Sequence, residues 1–429
     1  MHEHSNAVCI PNAKQAEEEK KRLAEYILID LKKISGKHKN HNQEQINRLL
    51  EEALAAFTTI RQEQVTELVG PELFRARFII RWCEKQQFGN KEEINEYMEL
   101  FPLMLAIRMA AMGIIRNTYA FKFHIKIDTL RHIKPLQMLW EESEYQATIE
   151  IKAEIDQSQI RLNGQIFASN ILSNAAGIPR NLYLNNKESC ISLHEHGVEL
   201  YKYIKELNTA ASQPIHVDQE LSLLKSREEK LSYINGYLEG EALIKKADKE
   251  FFAEIKVILD GITLLTGGRF VGCSDVWYQG YAFFNPDHQW TPITYADHLI
   301  HETAHIRLHA VNELNTLLEN GDEPGKSPIR VDARPLYGIL HSTFVFMRLV
   351  LFFQKLAEIQ EEEEEIMFRL HRHLKGFYEG MQELHEKARW TEAGNQLFYS
   401  MCTIRAHLIK EIGSPQEKFY ANIGNDYVL

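Results

Sequence analysis

The chain has 429 residues, of which 44% are hydrophobic and 25% are charged, as is typical of a soluble globular protein large enough for two to three packed units. Its formal net charge of −11 argues against nucleic acid or an anionic membrane as a general partner, because both bind basic surfaces. The five cysteines are scattered, and we find no signal peptide and no apolar run of about 18 residues, so we expect a cytoplasmic protein that does not enter a membrane.

The first part of the chain, residues 13–115, has the apolar spacing of helices. We predict one helix over residues 13–34 and a second over residues 42–69, where a Gly-Pro pair stops it. Asn90 followed by Glu93 is a typical helix start, and it opens a predicted helix that ends near the next glycine.

The central part of the chain changes to strand patterns. Residues 145–156 alternate apolar and polar side chains, which predicts a strand with one buried face. Asn163-Gly164 stands between two short apolar segments and predicts a two-residue β-hairpin. Helical spacing returns at residues 198–208, 218–231 and 237–259. The segment 262–284, rich in glycine and aromatic residues, predicts strands and turns.

The last part of the chain, from residue 291, is again predicted to be helical. Thr294 and Asp297 approximate a capping box for a helix over residues 295–319, and a further helix is expected to begin near Pro335. The predicted fold class is therefore α+β, predominantly helical. It comprises a helical N-terminal region (1–115), a mixed region with antiparallel hairpins (116–290) and a helical, metal-binding C-terminal region (291–429).

The strongest functional signal is the segment HETAH, from His301 to His305, in the predicted C-terminal helix. Residues four apart lie one helical turn apart, so both imidazoles can aim at one divalent metal ion with Glu302 beside them. His298 and His309 lie on the same arc of this helix, and we interpret them as structural or solvated histidines.

A metal site of this kind needs at least one further ligand. His341 is the preferred candidate, because it lies on the next predicted helix among apolar residues. A core histidine bonded to the backbone is the alternative interpretation of His341. Glutamates at 358 and 361–365 are also available as ligands, although no local pattern selects one of them.

Arginines near His341 could hold a carboxylate group, which arginine grips through two parallel hydrogen bonds. Arg334 is preferred, because on one helix it would lie two turns before His341 and on the same face. Arg330 and Arg348 are further candidates. An ordinary surface charge is the alternative interpretation of Arg334.

Two other patterns carry less weight. His216-Val217-Asp218 has the spacing of an iron-binding strand motif, but Asp218 is better explained as a helix cap. His194 and His196 could share one strand face, but their loop setting favours surface histidines. The sequence contains neither a nucleophile elbow nor a phosphate-binding loop.

The block HLIHETAH, followed by SPIRVDARPLYGILHSTFVFMRL, resembles the HExxH-motif peptide-modification proteins, which include 2-oxoglutarate-dependent peptide β-hydroxylases of peptide-tailoring pathways (RiPP biosynthesis). The resemblance covers about residues 298–350. It implies non-haem iron(II), 2-oxoglutarate and dioxygen, with a precursor peptide as the substrate. It also implies His301, His305 and His341 as metal ligands, and Arg334 as the residue that holds the distal carboxylate of 2-oxoglutarate.

Two other functions stay open from the sequence. A zinc metallopeptidase would use the same pair of histidines, with Glu302 as the general base for a zinc-bound water. A non-catalytic peptide-binding partner would use the histidines structurally. The pairing of Arg334 with His341 favours the hydroxylase, since a peptidase needs no fixed partner at that spacing. The sequence does not indicate an oligomeric state.

Overall fold

A computed structural model gives the fold of the chain. It describes residues 8–38, 41–60, 65–85, 91–126, 148–155, 160–162, 165–167, 193, 200, 203–204, 207, 220–267, 271–328, 332–360 and 364–412. Within these residues the protein is α+β and predominantly helical, as the sequence predicted.

The N-terminal part contains helices α1 (Ala13–Lys37), α2 (Gln43–Phe57), α3 (Val65–Leu68), α4 (Pro71–Lys85) and α5 (Lys91–Ala111), followed by strand β1 (Tyr119–Lys126). The helix predicted over residues 42–69 is interrupted after Phe57. There the hydroxyl groups of Thr58 and Thr59 each donate a hydrogen bond to a backbone carbonyl three residues earlier, at 2.8 and 2.9 Å. Such local hydrogen bonds compete with continuation of a helix.

The first sheet contains, in spatial order, β1, β2 (Thr148–Ile155), β3 (Ile160–Leu162) and β4 (Gln165–Phe167), and each strand is antiparallel to its neighbour. The predicted strand at 145–156 is confirmed over residues 148–155, where Ala153 and Ile155 are buried on one face. Strands β3 and β4 pair as the predicted hairpin requires. Its turn, at residues 163–164, lies outside the described residues.

The middle part contains β5 (Ser222–Leu223), α6 (Arg227–Ala247), α7 (Lys249–Ile258), β6 (Gly261–Thr266), β7 (Gly272–Ser274), a 3₁₀ turn (Val276–Tyr278) and β8 (Tyr281–Phe284). The helix predicted over residues 218–231 begins only at Arg227, because Oγ of Ser226 caps it by accepting a hydrogen bond from the backbone N–H of Glu229 at 3.2 Å. Strands β6 and β8 pair in parallel. This pairing was not predicted, since only antiparallel hairpins were expected in this region. Strand β7 lies between β6 and β8 in the sequence, but in the sheet it is an edge strand that pairs antiparallel with β8. The order of the strands in this sheet is β5-β6-β8-β7.

The C-terminal part contains α8 (Pro292–Leu314), β9 (Pro324–Lys326), β10 (Ala333–Pro335), α9 (Leu336–Ile359), α10 (Glu364–Lys387) and α11 (Glu392–Glu411). Helix α8 begins three residues earlier than predicted, and the predicted capping box at Thr294 is wrong. The hydroxyl of Thr291 accepts a hydrogen bond from the backbone N–H of Thr294, and Pro292 occupies the first turn, where its missing N–H costs nothing. The helix also ends at Leu314 rather than at residue 319.

Helix α8 lies at the centre of the largest apolar core, where it contacts α1, α6 and α9, and α9 in turn packs along α10. Val8 and Cys9, just before α1, belong to this same core. The two residues thus pack in the same core as the C-terminal helices. The division into regions at residues 115 and 290 stays a prediction.

Helix α9 is the one described helix that is long and apolar enough to cross a membrane, with a mean hydropathy of 1.7 over its most apolar window. Arg348 interrupts its apolar stretch at residues 343–353. Of that window, 78% is buried inside the protein, as expected for the core helix of a soluble fold.

Candidate metal centre

The three histidines predicted as metal ligands meet where α8 contacts α9. Nδ1 of His305, on α8, lies 2.9 Å from Nδ1 of His341, on α9. The rings of His301 and His305 are edge to face, with centroids 5.0 Å apart. The two successive helices therefore hold the imidazoles close together, as the HExxH spacing requires.

These residues line a cavity of about 430 Å³. The cavity is lined by five predicted site residues: His301, Glu302, His305, Arg334 and His341. Further polar groups come from α8, α9 and the edge strand β7, namely His298, His309, Ser274 and Tyr337. The volume lies within the range of about 300–1,000 Å³ that small-molecule sites occupy.

The three histidines line one cavity, but their ligand atoms are not all within reach of one ion. In the described residues, only one group of three or more potential ligands has all its ligand atoms within 4.8 Å of one another, and it does not include His301, His305 or His341. At least one of these three rings must therefore turn before all three could bind one ion. The two Nδ1 atoms of His305 and His341 are at hydrogen-bond distance from each other, which leaves the Nε2 atoms as the nitrogens available to a metal ion.

The protonation states of His305 and His341 suit metal binding. Burial, and next the neighbouring histidines, lower the pKa of each ring well below its usual value, so both are neutral at neutral pH. A neutral imidazole is the form that binds a metal ion. Nε2 of His341 is buried and has no hydrogen-bond partner. Such an orphaned nitrogen carries a free-energy cost that a bound cation would remove.

Glu302 is hydrogen-bonded to the edge of the second sheet. Its Oε2 accepts a hydrogen bond from Oγ of Ser274, on β7, at 2.7 Å. Burial raises the pKa of the Glu302 carboxyl, while His301 and the hydrogen bond from Ser274 act in the opposite direction. A carboxyl whose pKa is raised towards neutrality can accept and release a proton, which suits a general base.

Arg334 reaches the cavity, but not from the helix on which it was predicted. It lies on β10, opposite Gly325 of β9, and α9 begins only at Leu336. The prediction that Arg334 and His341 share one helical face is therefore wrong, because Pro335 caps the helix instead of continuing it back to residue 334. The Arg334 side chain is 40% exposed, and its Nε lies 2.9 Å from a carboxylate oxygen of Asp332.

The other two candidate arginines do not join the cavity among the described residues. Arg330 lies outside those residues. Arg348 is buried elsewhere, where it forms an ion pair with Glu254 and donates a hydrogen bond to the backbone carbonyl of Cys9 at 3.3 Å. Its guanidinium also lies over the ring of Phe251, 4.5 Å from the ring centre. Arg348 therefore lies in the protein interior and does not line the cavity, contrary to its selection as a cofactor-binding candidate.

Sequence reasoning undervalued two residues that the structure brings to the cavity. His309 was interpreted as structural, yet its ring centre lies 4.2 Å from that of His341. Its Nδ1 is also 3.2 Å from the hydroxyl of Tyr337. Burial lowers the pKa of His309 to about 3. Helical spacing could have indicated both residues, because His309 follows His305 by one turn and Tyr337 precedes His341 by one turn.

The first half of α8 is fixed by polar contacts to α10. The Asp297 carboxylate lies 2.7 Å from Arg369 and 3.0 Å from Nε2 of His373. The ring of the next residue, His298, stacks on Trp290 with centroids 4.2 Å apart, and burial lowers its pKa to about 3. These contacts hold the helix that carries the HExxH motif in one orientation.

The weaker sequence patterns, at residues 194–196 and 216–218, lie outside the described residues. Comparison with known proteins adds no family: no protein-family model matches the chain, and no curated protein matches it.

Proposed function

We propose that the protein is a non-haem iron(II)- and 2-oxoglutarate-dependent hydroxylase that acts on a side-chain β-carbon of a precursor peptide, in a cytoplasmic peptide-tailoring pathway. The observation that carries the proposal is the single cavity shared by His301, His305, His341 and Arg334. It combines imidazoles, which bind iron(II), with a guanidinium, which binds a carboxylate.

In this proposal, His301, His305 and His341 hold the metal ion. The buried Nε2 of His341, which lacks a hydrogen-bond partner, supports a role as a ligand. Bound iron(II), together with 2-oxoglutarate and dioxygen, would supply an oxidant strong enough to hydroxylate an unactivated carbon. The protein itself binds the two substrates, excludes water and orients the target carbon.

Arg334 binds the distal carboxylate of 2-oxoglutarate. Its ion pair with Asp332 is half exposed, and such a pair contributes at most about 1 kcal/mol. A carboxylate that enters the cavity can therefore displace Asp332 at small cost. Arginine then grips the incoming group through two parallel hydrogen bonds.

Glu302 does not bind the metal in this proposal. Its hydrogen bond with Ser274 keeps the carboxyl at the cavity wall beside β7, where it can orient a water molecule or the substrate peptide.

A zinc metallopeptidase is the second candidate, and the observation that favours it is the position of Glu302. This carboxyl lines the cavity next to His301, and burial raises its pKa, as a general base requires. Arg334 would then bind a carboxylate of the substrate. A non-catalytic peptide-binding protein is a third candidate, but it gives no reason for three histidines and an arginine to line one cavity.

The first experiment measures binding of 2-oxoglutarate to the protein loaded anaerobically with iron(II), through the visible absorption band that chelation of iron(II) by this acid produces. We expect saturable binding, and a loss of affinity of at least tenfold in Arg334→Ala. The control is Arg389→Ala, since Arg389 is another half-exposed arginine in an ion pair, with Glu323, and it lies outside the cavity. Equal affinity in all three proteins would reject the role of Arg334.

The second experiment separates the two enzymes. With iron(II), 2-oxoglutarate and candidate peptides, we expect succinate and a peptide heavier by one oxygen atom. With zinc and no 2-oxoglutarate, a peptidase would instead produce fragments, and Glu302→Gln would abolish them. Fragments without oxidised product would replace the hydroxylase by the peptidase.

A further inference from the structure

A second group of potential metal ligands lies far from the HExxH motif in the sequence. His41, Glu99 and His124 each offer one ligand atom, and these atoms all lie within 4.8 Å of one another. His41 lies two residues before the start of α2, Glu99 is on α5 and His124 is on β1. None of the three lines the cavity between α8 and α9.

The position of His41 is fixed by the backbone of β1. Nε2 of His41 contacts the backbone carbonyl of Lys122. The neighbouring Asn42 forms two hydrogen bonds with the backbone of the same lysine, at 2.9 and 3.1 Å. A carbonyl accepts but cannot donate, so this contact assigns the proton to Nε2 and leaves the lone pair on Nδ1. Histidines that bind metal ions are typically fixed in this way, with the second ring nitrogen donating to a carbonyl.

Glu99 faces that lone pair. Its Oε2 accepts a hydrogen bond from the backbone N–H of His124 at 3.2 Å, which orients the carboxylate. Its Oε1 lies 3.8 Å from Nδ1 of His41. This distance is too long for a hydrogen bond between the two atoms. The two potential ligand atoms therefore lie close together without a hydrogen bond between them.

The distance between these two atoms suits ligands of a small divalent ion. Ligands 2.0–2.2 Å from a tetrahedral zinc ion lie about 3.4 Å from each other. The observed 3.8 Å between His41 and Glu99 would have to shrink by only a few tenths of an ångström. Two imidazole nitrogens and one carboxylate oxygen favour zinc and related transition metals over calcium or magnesium, which prefer oxygen ligands.

We propose that His41, Glu99 and His124 form a second metal site, which binds a divalent transition-metal ion such as Zn²⁺. Bound there, the ion joins three separate segments: the connection before α2, helix α5 and strand β1. Three protein ligands leave a fourth position for water or a further ligand. The proposal does not depend on the function of the cavity.

The test measures zinc stoichiometry and affinity by calorimetry and by metal analysis after dialysis. The full-length background protein carries His301→Ala and His305→Ala, which removes the predicted ligands of the other site. We expect this protein to bind one Zn²⁺ per chain. Adding His41→Ala or His124→Ala should lower the affinity by more than the 10- to 100-fold that loss of a group supporting a ligand costs. Glu99→Gln, which keeps the side-chain shape, should also weaken binding at least tenfold.

The matched control is His38→Ala in the same background, since His38 is a neighbouring histidine that contacts Glu84 and is not part of the group. It should leave zinc binding unchanged. A background protein that binds no zinc, or one that keeps its ion with equal affinity in the His41, Glu99 and His124 variants, would overturn the proposal, and the second outcome would identify an adventitious surface ion only. Thermal unfolding without metal confirms that each variant is folded.

Discussion

Oε2 of Glu254, on α7, lies 2.6 Å from Nη1 of Arg307, on the helix that carries the HExxH motif. The other oxygen of the same carboxylate forms an ion pair with Arg348, on the helix that carries His341. All three side chains are buried. One carboxylate therefore connects the two helices whose contact brings the cavity histidines together.

Removing this carboxylate should destabilise the protein strongly. Glu254→Ala leaves two arginines buried without their shared partner, which typically costs about 3–5 kcal/mol. We expect a loss of this size in the free energy of unfolding, measured by urea denaturation. The control is Glu51→Ala, which breaks the exposed pair with Lys32 and should cost about 1 kcal/mol or less. Similar losses in both variants would contradict the role of Glu254.

His341→Ala should weaken iron(II) binding without unfolding the protein. The substitution removes the histidine with which α9 lines the cavity, including its buried nitrogen that has no hydrogen-bond partner. We expect at least a tenfold loss of affinity, measured by anaerobic calorimetry. His407→Ala is the control, because His407 is exposed on α11. If His341→Ala bound iron(II) as tightly as the unsubstituted protein, His309 would become the preferred third ligand.

Acid should remove the stabilisation that Asp297 provides. Burial raises the pKa of this carboxyl, but His373 and then Arg369 outweigh that effect and hold it well below the usual value of 3.8. A carboxyl with a lowered pKa in the folded state stabilises the fold above its unfolded-state pKa, and this contribution is lost as the pH falls.

The corresponding experiment compares the free energy of unfolding of the unsubstituted protein and Asp297→Asn at several pH values. The variant should be less stable at pH 7, and the difference between the two proteins should shrink progressively below about pH 4. A difference that stays constant between pH 7 and pH 3 would show that charge at Asp297 does not contribute.

Gly376→Ala should disturb the cavity through Phe346. A Cβ atom at residue 376 of α10 would lie 2.6 Å from the Phe346 ring, and Phe346 lines the cavity. The ring must move, so we expect a loss of about 1–3 kcal/mol in the free energy of unfolding, together with weaker binding of 2-oxoglutarate. Gly36→Ala on α1 is the control, because nothing lies within 4 Å of its Cβ position. It should be neutral or stabilising by up to about 1 kcal/mol.

Helical periodicity explains which parts of the cavity were predictable. The spacing of His301 and His305 depends on local geometry alone, and α8 forms as that spacing requires. Arg334 was assigned to the wrong element, because the start of α9 depends on the pairing of β9 with β10, which no local pattern reveals. Arg348 was misjudged for a related reason: its partner Glu254 is distant in sequence, so its burial could not be foreseen.

The group of His41, Glu99 and His124 also could not be predicted from local sequence patterns. Its members come from a loop, a helix and a strand, and each alone is an ordinary surface residue in sequence terms. Only the packing of α5 against β1, and the hydrogen bonds of Asn42 to that strand, bring them together. Helices and individual strands follow from local patterns, whereas sites built across them need the folded chain.

The contacts of residues 9 and 12 have a consequence for how the protein is made. The backbone carbonyl of Cys9 accepts a hydrogen bond from Arg348, and the backbone N–H of Asn12 donates one to Glu254 at 2.7 Å. During translation, these residues leave the ribosome long before the segment containing Arg348 has been synthesised. They can form these contacts only after that segment has also emerged.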